Sequence, residues 1–375
     1  CNISFEFTTD LCHFNSGGGC EIWYTDDGDT WYQLIGDEAE YSDQNCLGNG
    51  FDDKYNIGAR VLITYHEKLY AGIMNGKHGC EVWSFNGESF PKKNPVIRKT
   101  ITFESNGYTL YGEMYYPDTN KNFLPALVFC EGLPAYVSAY SWLAESLAEK
   151  GYVVIMFDPP GLGRSEGLFN LRNITFPRFN LFFRFGSYAE TPYQYMLRHW
   201  TIAASDALNY LLNESELRDR IDTEKIGIIG HSLGGITATE TAARDNRFKA
   251  VVALSHGNPF STRRIDVPTQ FISGGFDLGL MSIPLSFSCY RKACTPKEYV
   301  LIRFSNHIGF TTAFGPLNPS PYWQKEMIDH YATGWFDYFL QGKPEAYNVI
   351  TSRTIYVSKL GLSRYNFDGK DIPLT

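Results

Sequence analysis

A serine hydroxyl attacks an acyl carbonyl only with help: a base to take its proton, an acid to orient that base, and donors for the oxyanion that forms. One segment has the right grammar. Ile226-Gly227-Ile228-Ile229-Gly230-His231-Ser232-Leu233-Gly234-Gly235 sets Ser232 in a Gly-x-Ser-x-Gly pattern between an apolar strand-like run and a helix-like stretch. Ser232 at such a turn must project its hydroxyl from a strained backbone, and side chains at Gly230 and Gly234 would clash there. His231 flanks the nucleophile and is expected to turn away into packing. The helix that follows would aim its first N–H groups at developing negative charge. An ordinary serine in a glycine-rich turn is the competing reading, and the strand-to-helix context weighs against it. For the acid, Phe271-Ile272-Ser273-Gly274-Gly275-Phe276-Asp277 offers Asp277 just past a strand; for the base, Arg303-Phe304-Ser305-Asn306-His307 offers His307 just past the next.

The elements that must carry these groups alternate strand and helix from residue 97 onward, which implies a mostly parallel sheet. Ile97 to Glu104 and Thr109 to Tyr116 read as an antiparallel pair around Ser105-Asn106-Gly107. Ala126–Cys130, Tyr152–Phe157, Lys225–Ile229, Ala250–Leu254, Thr269–Ser273 and Glu298–Phe304 read as strands. Helices are expected over Ser138–Glu149, Trp200–Leu212, Ile236–Ala243 and Tyr322–Leu340. Asp277 and His307 then fall at the C-terminal edge of the sheet, where open α/β folds place their sites. Asp266 precedes its strand and lies at the wrong end. Cys130 reads as packed core.

Together these residues resemble the serine esterase and dienelactone-hydrolase-like branch of the α/β-hydrolase superfamily, over residues 97–345. Phe157-Asp158-Pro159-Pro160-Gly161-Leu162-Gly163-Arg164-Ser165 is similar to the loop such enzymes carry after the fourth strand. Trp335-Phe336-Asp337-Tyr338-Phe339-Leu340-Gln341-Gly342 is similar to their closing helix. The resemblance implies an α/β-hydrolase fold and a cofactor-free, metal-free acyl-enzyme mechanism on an ester or related acyl bond, a small-molecule substrate. Chain order in the family is serine, acid, histidine, which favours His307 over His256 as base. His256, in Ser255-His256-Gly257-Asn258, is left a supporting or structural place. The backbone N–H groups of Leu233 and Leu133 are the expected oxyanion donors. Relatives often carry His-Gly where this chain has Glu131-Gly132, a departure that leaves the role of Glu131 open. A prolyl-oligopeptidase-like peptidase is the alternative enzyme, though its elbow commonly has Tyr where this chain has Leu233. A non-catalytic binding protein on the same fold is the alternative of another class. After Ser165 an aromatic insertion, residues 166–198, reads either as a cap over the acyl pocket or as packing against the rest of the protein.

Residues 1–95 follow a different pattern of short strands and turns, an all-β segment preceding the hydrolase domain of residues 96–375. Gly19-Cys20-Glu21-Ile22-Trp23 recurs as Gly79-Cys80-Glu81-Val82-Trp83, and Asn15 recurs as Asn75 at the same offset. Such a repeat reads as propeller-blade-like, and Tyr24-Thr25-Asp26-Asp27-Gly28-Asp29-Thr30-Trp31 resembles a structural Asp-box turn. Pro91-Lys92-Lys93-Asn94-Pro95 is the expected linker. Of 8 cysteines, Cys1, Cys12, Cys20, Cys46 and Cys80 fall in the first quarter of the 375 residues, and no Cys-x-x-Cys pair suggests zinc. Cys289 and Cys294 bracket a short loop and are open to either a disulfide or two thiols. A net charge of −8 argues against nucleic acid as partner, and no segment has the ~20 apolar residues of a membrane span. The chain opens on Cys1 without Met, so a processed or partial product is expected, with an extracytoplasmic location favoured over a cytoplasmic one.

Overall fold

The computed structural model describes residues 95–133, 136–167, 192–277, 282–313 and 323–352, together with short strands before and after them. The chain divides into two compact units, Cys1–Lys93 and Asn94–Thr375.

In the first unit, β1 (Ile22–Tyr24) pairs antiparallel with β2 (Tyr32–Ile35). β3 (Asn56–Tyr65), β4 (Lys68–Asn75) and β5 (Gly79–Phe85) form an antiparallel meander. The repeated residues of β5 have a physical reason to recur together. Glu81 accepts from Asn75 Nδ2 at 3.3 Å with one oxygen and from Trp83 Nε1 at 2.9 Å with the other, so Asn, Glu and Trp interlock across the β4–β5 turn. The Asp-box turn, residues 25–31, and Cys1, Cys12, Cys20 and Cys46 lie outside the described residues.

The second unit is built on a sheet whose strands are β6 (Val96–Ser105), β7 (Tyr108–Pro117), β8 (Leu124–Cys130), β9 (Val153–Phe157), β10 (Ile221–His231), β11 (Ala250–Leu254), β12 (Thr269–Gly274), β13 (Lys297–Ile302) and β14 (Val357–Ser358). Their order is β14-β13-β12-β11-β10-β8-β9-β7-β6. The six strands from β9 to β13 run parallel, while β6, β7 and β14 are antiparallel at the two edges. Every residue of β8, β9, β11 and β12 is buried, as befits strands covered on both faces. β6 has a long exposed run before it alternates, as an edge strand can.

Alternation along β8 feeds two cores. Leu127 and Phe129 face α1 (Ser141–Glu149) and α5 (Trp323–Phe339), packing with Leu143, Leu147, Trp335 and Phe336. Ala126, Val128 and Cys130 face α2 (Pro192–Asn213), whose Ala203, Ala204 and Ala207 allow close approach, and α3 (Leu233–Ala242) through Ala238. Cys130 is thus core, as its flanks suggest.

Three differences from the sequence expectations matter. The helix expected from Trp200 begins at Pro192, so the last residues of the 166–198 insertion are its first turns; proline is pre-set for that position. Residues 168–191 of the insertion lie outside the described residues. The helix α3 begins at Leu233 rather than Ile236, directly on the serine. Finally, a helix α4 (Ser282–Lys292) occupies what reads as a loop around Cys289. Cys289 is buried on it against Phe271 and Tyr299, Cys294 is exposed beyond its end, and both are free thiols. A last helix, α6 (Ala346–Thr351), follows α5.

Candidate active site

The sheet delivers the chemical groups to one edge. β8 ends one residue before Glu131, β10 one before Ser232, β11 two before His256, β12 three before Asp277 and β13 five before His307. All five strands are parallel, so these loops share the C-terminal rim, and β8 and β10 flank the point where strand order reverses.

Ser232 has φ 57° and ψ −121°, a conformation that costs a side-chain-bearing residue on the order of 1–3 kcal/mol. The turn is locked on both sides. A Cβ on Gly230 would collide with the Gly234 carbonyl, and one on Gly234 with the carbonyls of Cys130 and Glu131, so α3 backs directly onto the end of β8. The Ser232 amide donates to Leu254 O at 2.9 Å, which spends it. Leu233 is the first residue of α3, where an N–H has no intrahelical acceptor.

The side chains named from the sequence come together. Ser232 Oγ lies 2.9 Å from His307 Nε2, and His307 Nδ1 lies 2.8 Å from Asp277 Oδ2. A carboxylate can only accept, so Nδ1 carries the imidazole proton and the Nε2 lone pair faces the serine hydroxyl. Asp277 is buried, and its loop is pinned by Phe276 N–H donating to Ser305 O at 2.7 Å. The His307 loop is pinned in turn by buried Gln324, which donates to Asn306 O at 2.8 Å and accepts from Asn306 N at 3.2 Å.

His256 stands apart from this line. Its ring centroid is 5.7 Å from that of His307, and burial followed by the neighbouring His307 depresses its pKa to about 4. His231 is buried, stacked on Phe310 at 5.0 Å, and hydrogen-bonded through Nδ1 to Tyr140 Oη at 2.7 Å. His199 bonds Asn106, and His330 contacts Ser352. Asp266 lies on the far side of β12, near Cys294.

On the opposite wall, the Gly132 amide donates to Tyr140 Oη at 3.2 Å, so Leu133 carries the next amide in the loop after β8. Leu133 and Leu233 join Leu162, Met196, Trp200, Tyr193 and Ile236 in one apolar cluster, to which α2 contributes Tyr193, Met196 and Trp200. Asp158 clamps the loops: its Oδ1 accepts from Val137 N at 2.9 Å and its Oδ2 from Arg164 N at 2.7 Å. Glu131 is fully buried, neither carboxylate oxygen has a hydrogen-bond partner, and burial, reinforced by Asp158 and Glu113, pushes its pKa well above the usual range. Its side chain is therefore held neutral, as a buried unpaired carboxyl must be. Among the described residues no cluster of His, Cys, Asp and Glu could hold a metal ion, and no helix is long and apolar enough to cross a membrane.

Sequence reasoning had no signal for Tyr140 or Gln324, and it named the loop of Asp158 without the contacts that side chain makes. Met196 and Trp200 sit in a helix whose start was displaced.

Residues 125–276 match the family model described as alpha/beta hydrolase fold, a span that runs from β8 through β12 and includes Ser232. This unit has the alpha/beta hydrolase fold. Among curated relatives, the chain is 26% identical over 223 residues to a bis(hydroxyethyl) terephthalate hydrolase of Streptomyces coelicolor, covering 58% of this chain and 62% of that protein. It is 26% identical over 239 residues to a platelet-activating factor acetylhydrolase of Cavia porcellus, covering 55% and 54% respectively. Cutinase est2 of Thermobifida alba is 25% identical over 236 residues, covering 61% and 64%. The chain thus spans less than two thirds of the length of each of these relatives.

Proposed function

We propose that this chain is a serine hydrolase that cleaves a carboxylic ester or related acyl bond through an acyl-enzyme, with Ser232 as nucleophile, His307 as base and Asp277 as the orienting acid. The observation that carries the reading is the unbroken line of contacts, 2.8 Å from Asp277 to His307 and 2.9 Å from His307 to Ser232. The three relatives above, each named for hydrolysis or for cutin, support an ester as the bond cleaved. The narrower likeness to dienelactone-hydrolase-like esterases rests on the 157–165 loop and the closing helix.

The chemistry follows from the geometry. His307 Nε2 takes the Ser232 proton as Oγ attacks the acyl carbon. Asp277 holds the Nδ1 proton and stabilises the imidazolium without taking that proton. The carbonyl oxygen becomes an oxyanion facing the N–H groups of Leu233 and Leu133, donors fixed before the charge develops. His307 then protonates the leaving alkoxide, and the alcohol departs from an acyl-Ser232. Water enters, His307 deprotonates it, and a second tetrahedral collapse releases the acid and restores the serine hydroxyl. The apolar cluster around Met196 and Trp200 favours an apolar substrate group beside the oxyanion site.

A panel of p-nitrophenyl esters beside aminoacyl-nitroanilides tests the substrate class. Turnover of esters that Ser232→Ala abolishes is the expected result. Turnover confined to the anilides would replace the esterase reading by the peptidase one.

A further inference from the structure

We propose that Tyr140 is a positioning residue for the oxyanion hole: its hydroxyl fastens the loop that carries Leu133 to His231, the residue beside the nucleophile. The inference rests on the reading of Ser232 as nucleophile and deepens it.

Three elements converge on this hydroxyl. Gly132, past the end of β8, donates its amide to Tyr140 Oη at 3.2 Å. His231, the last residue of β10, presents Nδ1 at 2.7 Å from the same oxygen. Tyr140 itself leads into α1 and is 1% exposed, its ring packed against Phe129 at 5.1 Å and His231 at 5.7 Å. An amide can only donate, so the phenol oxygen accepts from Gly132 and keeps its own proton and a second lone pair for His231 Nδ1. His231 is a neutral imidazole in either tautomer. Burial, and after it the charges of His307 and His256, push its pKa the same way. Neutrality has a use here, because the His231 and His307 rings are 4.7 Å apart and His307 must become a cation during the reaction. A second imidazolium at that distance would oppose it.

Of the two residues held by Tyr140, one immediately precedes a proposed donor and the other lies two residues before the second donor. Gly132 is followed by Leu133, and His231 by Ser232 and Leu233. A Cβ on Gly132 would meet Tyr140 Oη at 2.8 Å and both Nδ1 and the carbonyl oxygen of His231 at 3.0 Å, so glycine lets the loop press onto the phenol and the elbow together. One hydroxyl thus ties together the two sides of the oxyanion hole, one contributed by the loop after β8 and the other by the end of β10. Removing it leaves both donors present and their mutual placement loose.

The test uses the full chain, a p-nitrophenyl ester and an aryl trifluoromethyl ketone. The ketone adds to Ser232 Oγ as a hemiketal, the serine proton passing to His307 and the oxyanion entering the hole. For Tyr140→Phe, kcat is expected to fall about 10- to 100-fold, short of the 10²–10³ of deleting a donor outright. KM should stay within about threefold, and ketone affinity should fall in step with kcat, a split that mere loss of stability does not produce. His231→Asn keeps an acceptor oxygen near the place of Nδ1, and His231→Leu does not, so Asn is expected to retain the more activity. The inference is overturned if Tyr140→Phe leaves kcat and ketone affinity within twofold of wild type, or if its defect lies in KM alone. Should Tyr140→Phe not fold, equal activity of the two His231 variants overturns it instead. Wild-type turnover that Ser232→Ala does not reduce would sink the underlying reading, a result distinct from a Ser232-dependent enzyme indifferent to Tyr140.

Discussion

At His307 the two ring nitrogens have different partners, Asp277 at Nδ1 and Ser232 at Nε2. His307→Ala is expected to lower kcat on the order of 10⁴-fold or more, whereas His256→Ala should cost less than about tenfold. Asp277→Asn should fall with His307→Ala, because an amide in that place leaves the imidazole misoriented or in the wrong tautomer. Steady-state rates of the three variants decide the matter, and a crippled His256→Ala beside a mild His307→Ala would reverse the assignment. His256 reveals itself in stability instead. Its folded pKa of about 4 lies below the ordinary 6.5, so between those pH values the unfolded chain binds a proton that the folded one does not. Stability is therefore complete above pH 6.5 and falls on acidification toward pH 4, by on the order of 3 kcal/mol from this residue. Thermal unfolding of His256→Ala should accordingly show a shallower loss from pH 6.5 to 4 than wild type, and parallel curves would refute the linkage. Ser232, Asp277 and His307 were legible in the sequence because glycine spacing and strand ends mark them. Tyr140 and Gln324 were not, since a buried tyrosine before a helix or a glutamine within one leaves no local pattern until its partners are in place.

Among the elements, the strands were the most legible. β8, β9 and β11 are short, wholly buried apolar runs bounded by loops, and a parallel sheet covered on both faces demands that pattern. The helix α4 escaped for the opposite reason. Its fully buried positions are Ser286 and Cys289, continued by Ala293 just beyond its end, a stripe of small residues that yields no hydrophobic period. The helix α3 meets the end of β8 with no room for a side chain at Gly234. Gly234→Ala places a methyl group against two backbone carbonyls, which cannot swing aside as a side chain would. A loss of about 1–3 kcal/mol or more is expected, together with a fall in kcat, because relief of the clash must move either the elbow or the loop before Leu133. Wild-type melting temperature and rate for Gly234→Ala would show that α3 has room to shift without disturbing the site.

At the scale of the whole molecule, every residue assigned to the proposed chemistry lies in the unit Asn94–Thr375, and the interlocked Asn75, Glu81 and Trp83 give the N-terminal repeat a structural reason of its own. The repeat was legible because it is literal, five residues and an asparagine at equal spacing. The arrangement it builds was less so, since a blade-like pattern says how a strand packs and not how many sheets accompany it. A chain of residues 94–375 is expected to hydrolyse small p-nitrophenyl esters with kcat/KM within about tenfold of the full chain. A folded 94–375 protein without esterase activity would show that the first unit helps build the site.

The central claim, that Ser232 is the nucleophile, is tested most directly by identifying where a fluorophosphonate binds. The full chain is treated with the probe, digested, and its modified peptide sequenced by mass spectrometry. The account predicts a single adduct on the Ser232 hydroxyl, formed in step with loss of esterase activity and absent from Ser232→Ala. Esterase activity that persists in fully labelled protein, or an adduct on another residue whose formation tracks the inactivation, would contradict it.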